Sequence, residues 1–254
     1  MMRRVVTISV STFREAARSR LFLAVLCFAL LCLLAVTPYA HATIGEPVFV
    51  VKSIGIAGAS FGSILTVIIT GATFLEKDLR RKTIVILLAR PLRRWELLFG
   101  RFLGLALVGS LIHLLIIATS IGYCSLLEDG GLDLRLLWSI PGNISEVAIV
   151  AAMTIFFSTI VVTPILNGMA ALCLFIAGRS HSWIETSFRS LDLPFLSILS
   201  SLVPDLEQLY AGNGLIYGEV PSTLKLLLSI TYGMEFAVAV MCLSTVVFQR
   251  RDIP

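Results

Sequence analysis

The run Val147–Gly178 constrains this 254-residue chain most: 32 consecutive residues without a charged side chain. As one helix at about 1.5 Å per residue it would reach about 48 Å, well beyond a bilayer core of about 30 Å. Pro164, Asn167 and Gly168 interrupt it. The reading adopted is two antiparallel spans, 146–163 and 165–178, joined by an abrupt turn; one long kinked helix is the competing reading.

Similar runs recur along the chain. Apolar residues make up 57% of it and charged residues 14%, so a soluble fold of this size could not hide its apolar surface from water. Further spans are expected at 21–38, 54–75, 102–126 and 226–248. The expected fold is therefore all-α: a polytopic membrane protein of about six transmembrane helices. Residues 3–20 read as an amphipathic interfacial helix, with Val6, Val10, Phe13 and Ala17 on one face and Arg3, Arg14 and Arg18 on another. Such a helix lies flat where anionic headgroups meet its basic side. The run after it is preceded by arginines and ends near Ala40-His41-Ala42, but its long basic lead-in is patterned as a helix, so it is taken as a retained first span rather than a signal peptide. Residues 127–145 are read as an outer loop. Residues 179–225, broken by Pro194, Pro204, Gly212, Gly214, Gly218 and Pro221, are read as an outer lid or short re-entrant segment before the last span.

The charges orient this arrangement. Segments 1–20, 76–101 and 249–254 hold 15 of the 20 Lys and Arg but 5 of the 16 Asp and Glu. By the positive-inside rule these segments, and with them both chain ends, belong in the cytoplasm. Orientation and headgroup contact account for the basic clusters without nucleic acid. The five cysteines lie in or beside apolar runs without metal-site spacing, and are read as small buried hydrophobes. No phosphate-binding loop, zinc-protease motif or nucleophile elbow is present, and His41, His113 and His181 are far apart. No catalytic, cofactor-binding or metal-binding residues are assigned.

Four residues stand out inside the spans. Gly58 and Gly62 form a small-xxx-small pair suited to close helix contact. His113 lies near the middle of its span and is read as neutral and hydrogen-bonded, with proton relay as the alternative. Glu235 is the sharpest candidate for a functional charge, because an unpaired carboxylate at that depth must meet protein, water or a proton. Gly58, Gly62, His113 and Glu235 are the candidates for the pathway or a dimer contact.

Three stretches resemble the ABC-2 type permeases, membrane subunits of ATP-binding cassette exporters. "TFREAARSRLFLAVL", residues 12–26, is similar to the elbow helix leading into their first span. "TFLEKDLRRKTIVILLARPLRRWELLFGRFLG", residues 73–104, is similar to the segment after their second span. "VVFQRRDI", residues 246–253, resembles their aromatic-x-Arg-Arg-Asp ending, and "LVPDLEQL", residues 202–209, sits where relatives have an apolar-Pro-polar segment. The resemblance covers nearly the whole chain and implies a single transmembrane domain over 1–254. It further implies a non-enzymatic exporter subunit in a prokaryotic inner membrane, pairing with a second permease chain, as a homodimer or heterodimer. Two separate ATPase subunits would dock beneath it, carrying the ATP and magnesium, with no cofactor in this chain. Segment 76–99 occupies the position of the coupling region, which makes Glu76, Arg80, Arg81, Lys82, Arg90, Arg93, Arg94 and Glu96 the coupling candidates. Ile84, Ile86, Leu87 and Leu88 would anchor it to the membrane surface. No substrate is named. A non-transporting membrane scaffold and an intramembrane enzyme are the competing classes.

Overall fold

In the computed structural model the described residues are 2–42, 47–80, 94–127, 133–161, 163–189, 203–210, 212–217 and 221–250. They form α1 (Met2–Ala17), α2 (Arg20–Ala42), α3 (Pro47–Arg80), α4 (Arg94–Leu127), a 3-10 turn (Leu134–Trp138), α5 (Ser139–Ile160), α6 (Pro164–Arg179), α7 (His181–Arg189), α8 (Gly212–Ile216) and α9 (Thr223–Gln249). The architecture is all-α, and the protein is a polytopic membrane protein.

The expectation of about six spans is corrected. Among the described residues four stretches are long and apolar enough to cross a membrane: Val48–Phe74, Arg94–Leu126, Leu134–Ile160 and Thr223–Gln249. Of the other two runs, the apolar part of α2 among the described residues is Phe22–Cys32, and the last yields the shorter apolar helix Pro164–Arg179. The reason is length: the 16 residues of α6 rise only about 24 Å, short of a core of about 30 Å.

α5 is the central helix. Val147 to Ala152 are six consecutive buried residues, so neighbours cover it on every side. It packs chiefly on α9 and α3, and α3 packs on α4. Small residues set these approaches. A Cβ at Gly109 of α4 would lie 2.7 Å from Val67 Cγ2 and 2.8 Å from Val147 Cγ1, and one at Gly233 of α9 would lie 2.5 Å from Ser145 Cβ. α5 ends where Val161 and Thr163 turn extended, and Pro164 opens α6, where a missing N–H costs nothing.

At one end of the bundle α1 lies against the start of α4. The start of α4 also meets the end of α9, because Arg94 Nη1 donates to the carbonyls of Phe248 (2.9 Å) and Gln249 (3.2 Å) and its guanidinium stacks on the Phe248 ring. A basic side chain thus caps carbonyls that the helix leaves unpaired.

The cysteine reading is partly corrected. Cys124 is buried, but Cys27, Cys173 and Cys242 are exposed on the chain's outer surface. In a membrane protein the outside is apolar as well, so a small apolar residue need not be inside.

Candidate functional site

The α5–Val161–α6 hairpin places two charges level with each other. Glu146 stands 14 residues before Ile160, and Arg179 stands 15 residues after Pro164. Antiparallel helices of equal rise bring such positions side by side. Arg179 Nη1 donates to Glu146 Oε1 at 2.5 Å, while Nη2 donates to Ser60 Oγ at 3.3 Å. Ser60 Oγ in turn donates to Glu146 Oε2 at 2.9 Å. The Glu146 side chain is 1% exposed and that of Arg179 is 26% exposed. Burying a carboxylate this deeply requires a partner and hydrogen bonds, and here both are present.

Ser60 lies about 20 Å along α3 from Pro47, so the cluster sits well inside the bundle. Next to it Asn143 Nδ2 donates to Ser63 Oγ at 3.2 Å, and Ser63 Oγ donates to the Ser60 carbonyl at 2.8 Å. The residues of the expected outer loop near Asn143 are therefore helix interior: α5 begins at Ser139, with Pro141 tolerated in its first turn. Asn143, part of a glycosylation-type triplet, is 4% exposed and occupied.

The segment 203–210 covers this cluster. The Tyr210 ring stacks under the Arg179 guanidinium, 3.8 Å from ring centroid to Cζ. The Leu206 N–H donates to the Gly178 carbonyl at 3.1 Å. Gly178 and Gly142 allow the segment to lie this close. A Cβ at Gly178 would meet the Pro204 carbonyl oxygen at 2.7 Å, and one at Gly142 would collide with that of Leu209. The segment is also tied at its edges. Glu207 Oε2 accepts from the Ser182 N–H, and hydrogen bonding from the Ser182 side chain, then from that N–H, holds the carboxyl below its ordinary value. The Asp205 N–H donates to the Tyr232 hydroxyl of α9 at 3.0 Å. One buried ion pair therefore joins α3, α5, α6 and the covering segment. Chemically it is a fastener: its donors and acceptors are spent on each other. Among the described residues no group of three or more His, Cys, Asp or Glu is placed to hold a metal ion.

The residues singled out from sequence lie elsewhere and apart. His113 is buried, with Nε2 3.1 Å from Ser139 Oγ. Ser139 Oγ also lies 2.7 Å from the Leu136 carbonyl, to which it can donate. A Cβ at Gly62 would meet Val25 of α2 and Ile116 of α4 at 3.2 and 3.4 Å, whereas one at Gly58 would meet nothing within 4 Å. Glu235 is exposed at the middle of α9. Helical spacing aligns it with Leu224, Leu228, Thr231, Ala239, Cys242 and Val246, and all of them are exposed. Of the coupling candidates, Glu76 and Arg80 lie in the last turns of α3, Arg94 caps α9 and Glu96 is buried at the start of α4. Arg81, Lys82, Arg90 and Arg93, with the apolar insert 83–89, fall outside the described residues.

Sequence reasoning passed over Glu146, Arg179, Ser60 and Tyr210. One signal was available: opposite charges at the two open ends of a 32-residue apolar run that folds back on itself. No signal marked Ser60 or Tyr210, which depend on how α3 and the segment 203–210 rotate against the hairpin.

Comparison with curated proteins gives no match. The family model described as "ABC-2 family transporter protein" matches residues 6–145, a stretch that includes Ser60, His113 and Asn143 and ends one residue before Glu146. That match covers more than half of the chain, and the chain belongs to the ABC-2 transporter family.

Proposed function

We propose that the chain is the permease subunit of an ATP-binding cassette exporter in a prokaryotic inner membrane, driven by separate ATPase subunits. The basic segments 1–20, 76–101 and 249–254 face the cytoplasm in this reading. Two copies enclose the path, and segment 76–99 receives the motion of the ATPases. Family membership supports the general role.

The observation that carries coupling is the traffic at the start of α4. Directly after segment 76–93, Arg94 grips the last turn of α9. Two to three turns later Gly100 and Gly104 seat α1, and Arg101 reaches Thr12 Oγ1 (3.3 Å), Glu15 (3.6 Å) and the Phe74 ring of α3. A push on segment 76–93 is thus handed to α1, α3, α4 and α9 together. A transmitted change requires different contacts in two states, and this junction touches four helices at once. Glu235, on the open face of α9, faces the path or the second copy.

The test is co-purification of the chain with a stoichiometric ATPase, followed by ATP-dependent transport in vesicles. Charge reversal at Arg80, Arg81 and Arg93 should uncouple hydrolysis from transport while the permease still folds. Arg94 is kept native because reversing it would also uncap α9. Retained coupling in that triple variant would remove segment 76–99 from the mechanism. A chain that purifies in a membrane assembly without any ATPase would favour the scaffold role instead.

A further inference from the structure

α1 has three sides, and each faces different chemistry. Ile8, Ser9, Thr12 and Ala16 form the side packed on α4, with Ser9, Thr12 and Ala16 buried. The approach is close: a Cβ at Gly100 would lie 2.6 Å from Ile8 Cβ, and one at Gly104 would lie 2.5 Å from Thr12 Cβ. Such a Gly-xxx-Gly seam brings two helices nearly into backbone contact. Next around the helix come Val6 and Val10, 53% and 38% exposed, flanked by Phe13 and Ala17. Beyond them, separated by turns of the same helix, stand Arg3, Arg14 and Arg18, all exposed. An apolar strip bordered by a basic strip, on a helix fastened to a membrane-spanning neighbour, matches a bilayer surface in section: acyl chains against the valines, phosphates against the guanidiniums.

We propose that this face of α1 is a binding surface for anionic phospholipid headgroups, selective for phosphatidylglycerol-type lipid over zwitterionic lipid. Charge complementarity names the occupant. A soluble anion would satisfy the arginines but leave Val6 and Val10 in water, whereas a lipid satisfies both strips at once. The proposal rests on the membrane placement of the chain and not on transport. Because the seam with Gly100 and Gly104 allows little sliding, a lipid held by α1 also holds the cytoplasmic end of α4.

The purified, delipidated full-length chain in detergent would be titrated with phosphatidylglycerol or phosphatidylcholine, and bound lipid counted by native mass spectrometry. With roughly fivefold tighter association per basic residue at an anionic surface, the wild type should prefer phosphatidylglycerol by at least about tenfold. Arg3→Gln/Arg14→Gln/Arg18→Gln should bring the two lipids close to parity, and the matching triple Lys variant should keep the preference. Val6→Ser/Val10→Ser should weaken both lipids alike. For the wild type, which avoids any folding defect, raising salt from about 0.05 to about 0.5 M should erase most of the preference. A wild type that does not distinguish the two lipids, a salt-independent preference, or a triple Gln variant that retains it would each overturn the proposal.

Discussion

Two carboxylates sit inside long helices of this protein, and the helices treat them in opposite ways. α5 is surrounded: 72% of its spanning stretch is buried, against 22% for α9. Glu146 on α5 is locked to Arg179 and Ser60. Glu235 on α9 stands in the middle of the helix's open side, opposite Gly233, Ala237 and Ser244, which pack inward. A charge with its counter-charge beside it is architecture. A carboxyl held outward at mid-helix must meet protein, water or a proton.

Removing one half of the paired charge is the strongest way to break this contrast. Arg179→Ala leaves Glu146 buried without its cation and should cost about 3 kcal/mol, read as a large fall in melting temperature in detergent. Glu146→Gln combined with Arg179→Met should recover most of that loss, since neither charge is then stranded. A double variant as unstable as Arg179→Ala would mean that the pair does more than neutralise itself.

The seam between the two helices comes next. Gly233→Leu pushes a side chain into Ser145 on α5 and should destabilise by about 2 kcal/mol. An unchanged melting temperature would show that α9 is loosely attached and that its open face is not set by packing on α5.

A partly exposed pair provides an intermediate case. Lys52 Nζ lies 2.8 Å from Asp133 Oδ2, joining α3 to the entry of α5. Partial burial raises the Asp133 pKa, but Lys52 and the Arg135 N–H outweigh it, so its carboxyl titrates below the ordinary value. A depressed folded-state pKa means that this stabilisation is full above the unfolded-state value of about 4 and is lost as pH falls below it. Lys52→Met should therefore cost under about 1 kcal/mol at neutral pH, with the difference from wild type shrinking in acid. A difference that grows in acid would reverse the sign of that argument.

The smallest effect on stability is expected at Glu235. Glu235→Gln should shift the folding of the single chain by no more than about 0.5 kcal/mol, because no described neighbour on its own helix face depends on the charge. Its effect should appear in transport rate or in the yield of paired chains. An unchanged rate together with an unchanged yield would take Glu235 off the candidate site and leave the contrast with Glu146 without functional meaning.

Parts of this were legible before any coordinates. The first helix could be read from the spacing of Val6, Val10, Phe13 and Ala17, although those residues form the open side of α1 and not the side that docks. The docked side is Ser9, Thr12 and Ala16, too small and polar to register as an apolar stripe, meeting glycines that have no side chain to register at all. The same blindness hid Gly109 and Gly233, while a Cβ at Gly58 would meet nothing within 4 Å in the single chain, because a small residue marks a permitted contact and not a made one. His113 was legible as a histidine needing a hydrogen bond, but its partner, Ser139, was not.

What the amino-acid order determined by itself was the solvent: apolar runs of this length and spacing demand lipid and helices, and the clustered arginines mark one end of the bundle. Those are sums over neighbouring residues, so they can be taken along the chain. Tertiary structure decided that Glu146 finds Arg179 and that Glu235 is turned to the open side of α9. Each depends on the depth and rotation of one helix against another, and a shift of one residue turns a side chain by about 100° around the helix. No local sum over the sequence contains that angle.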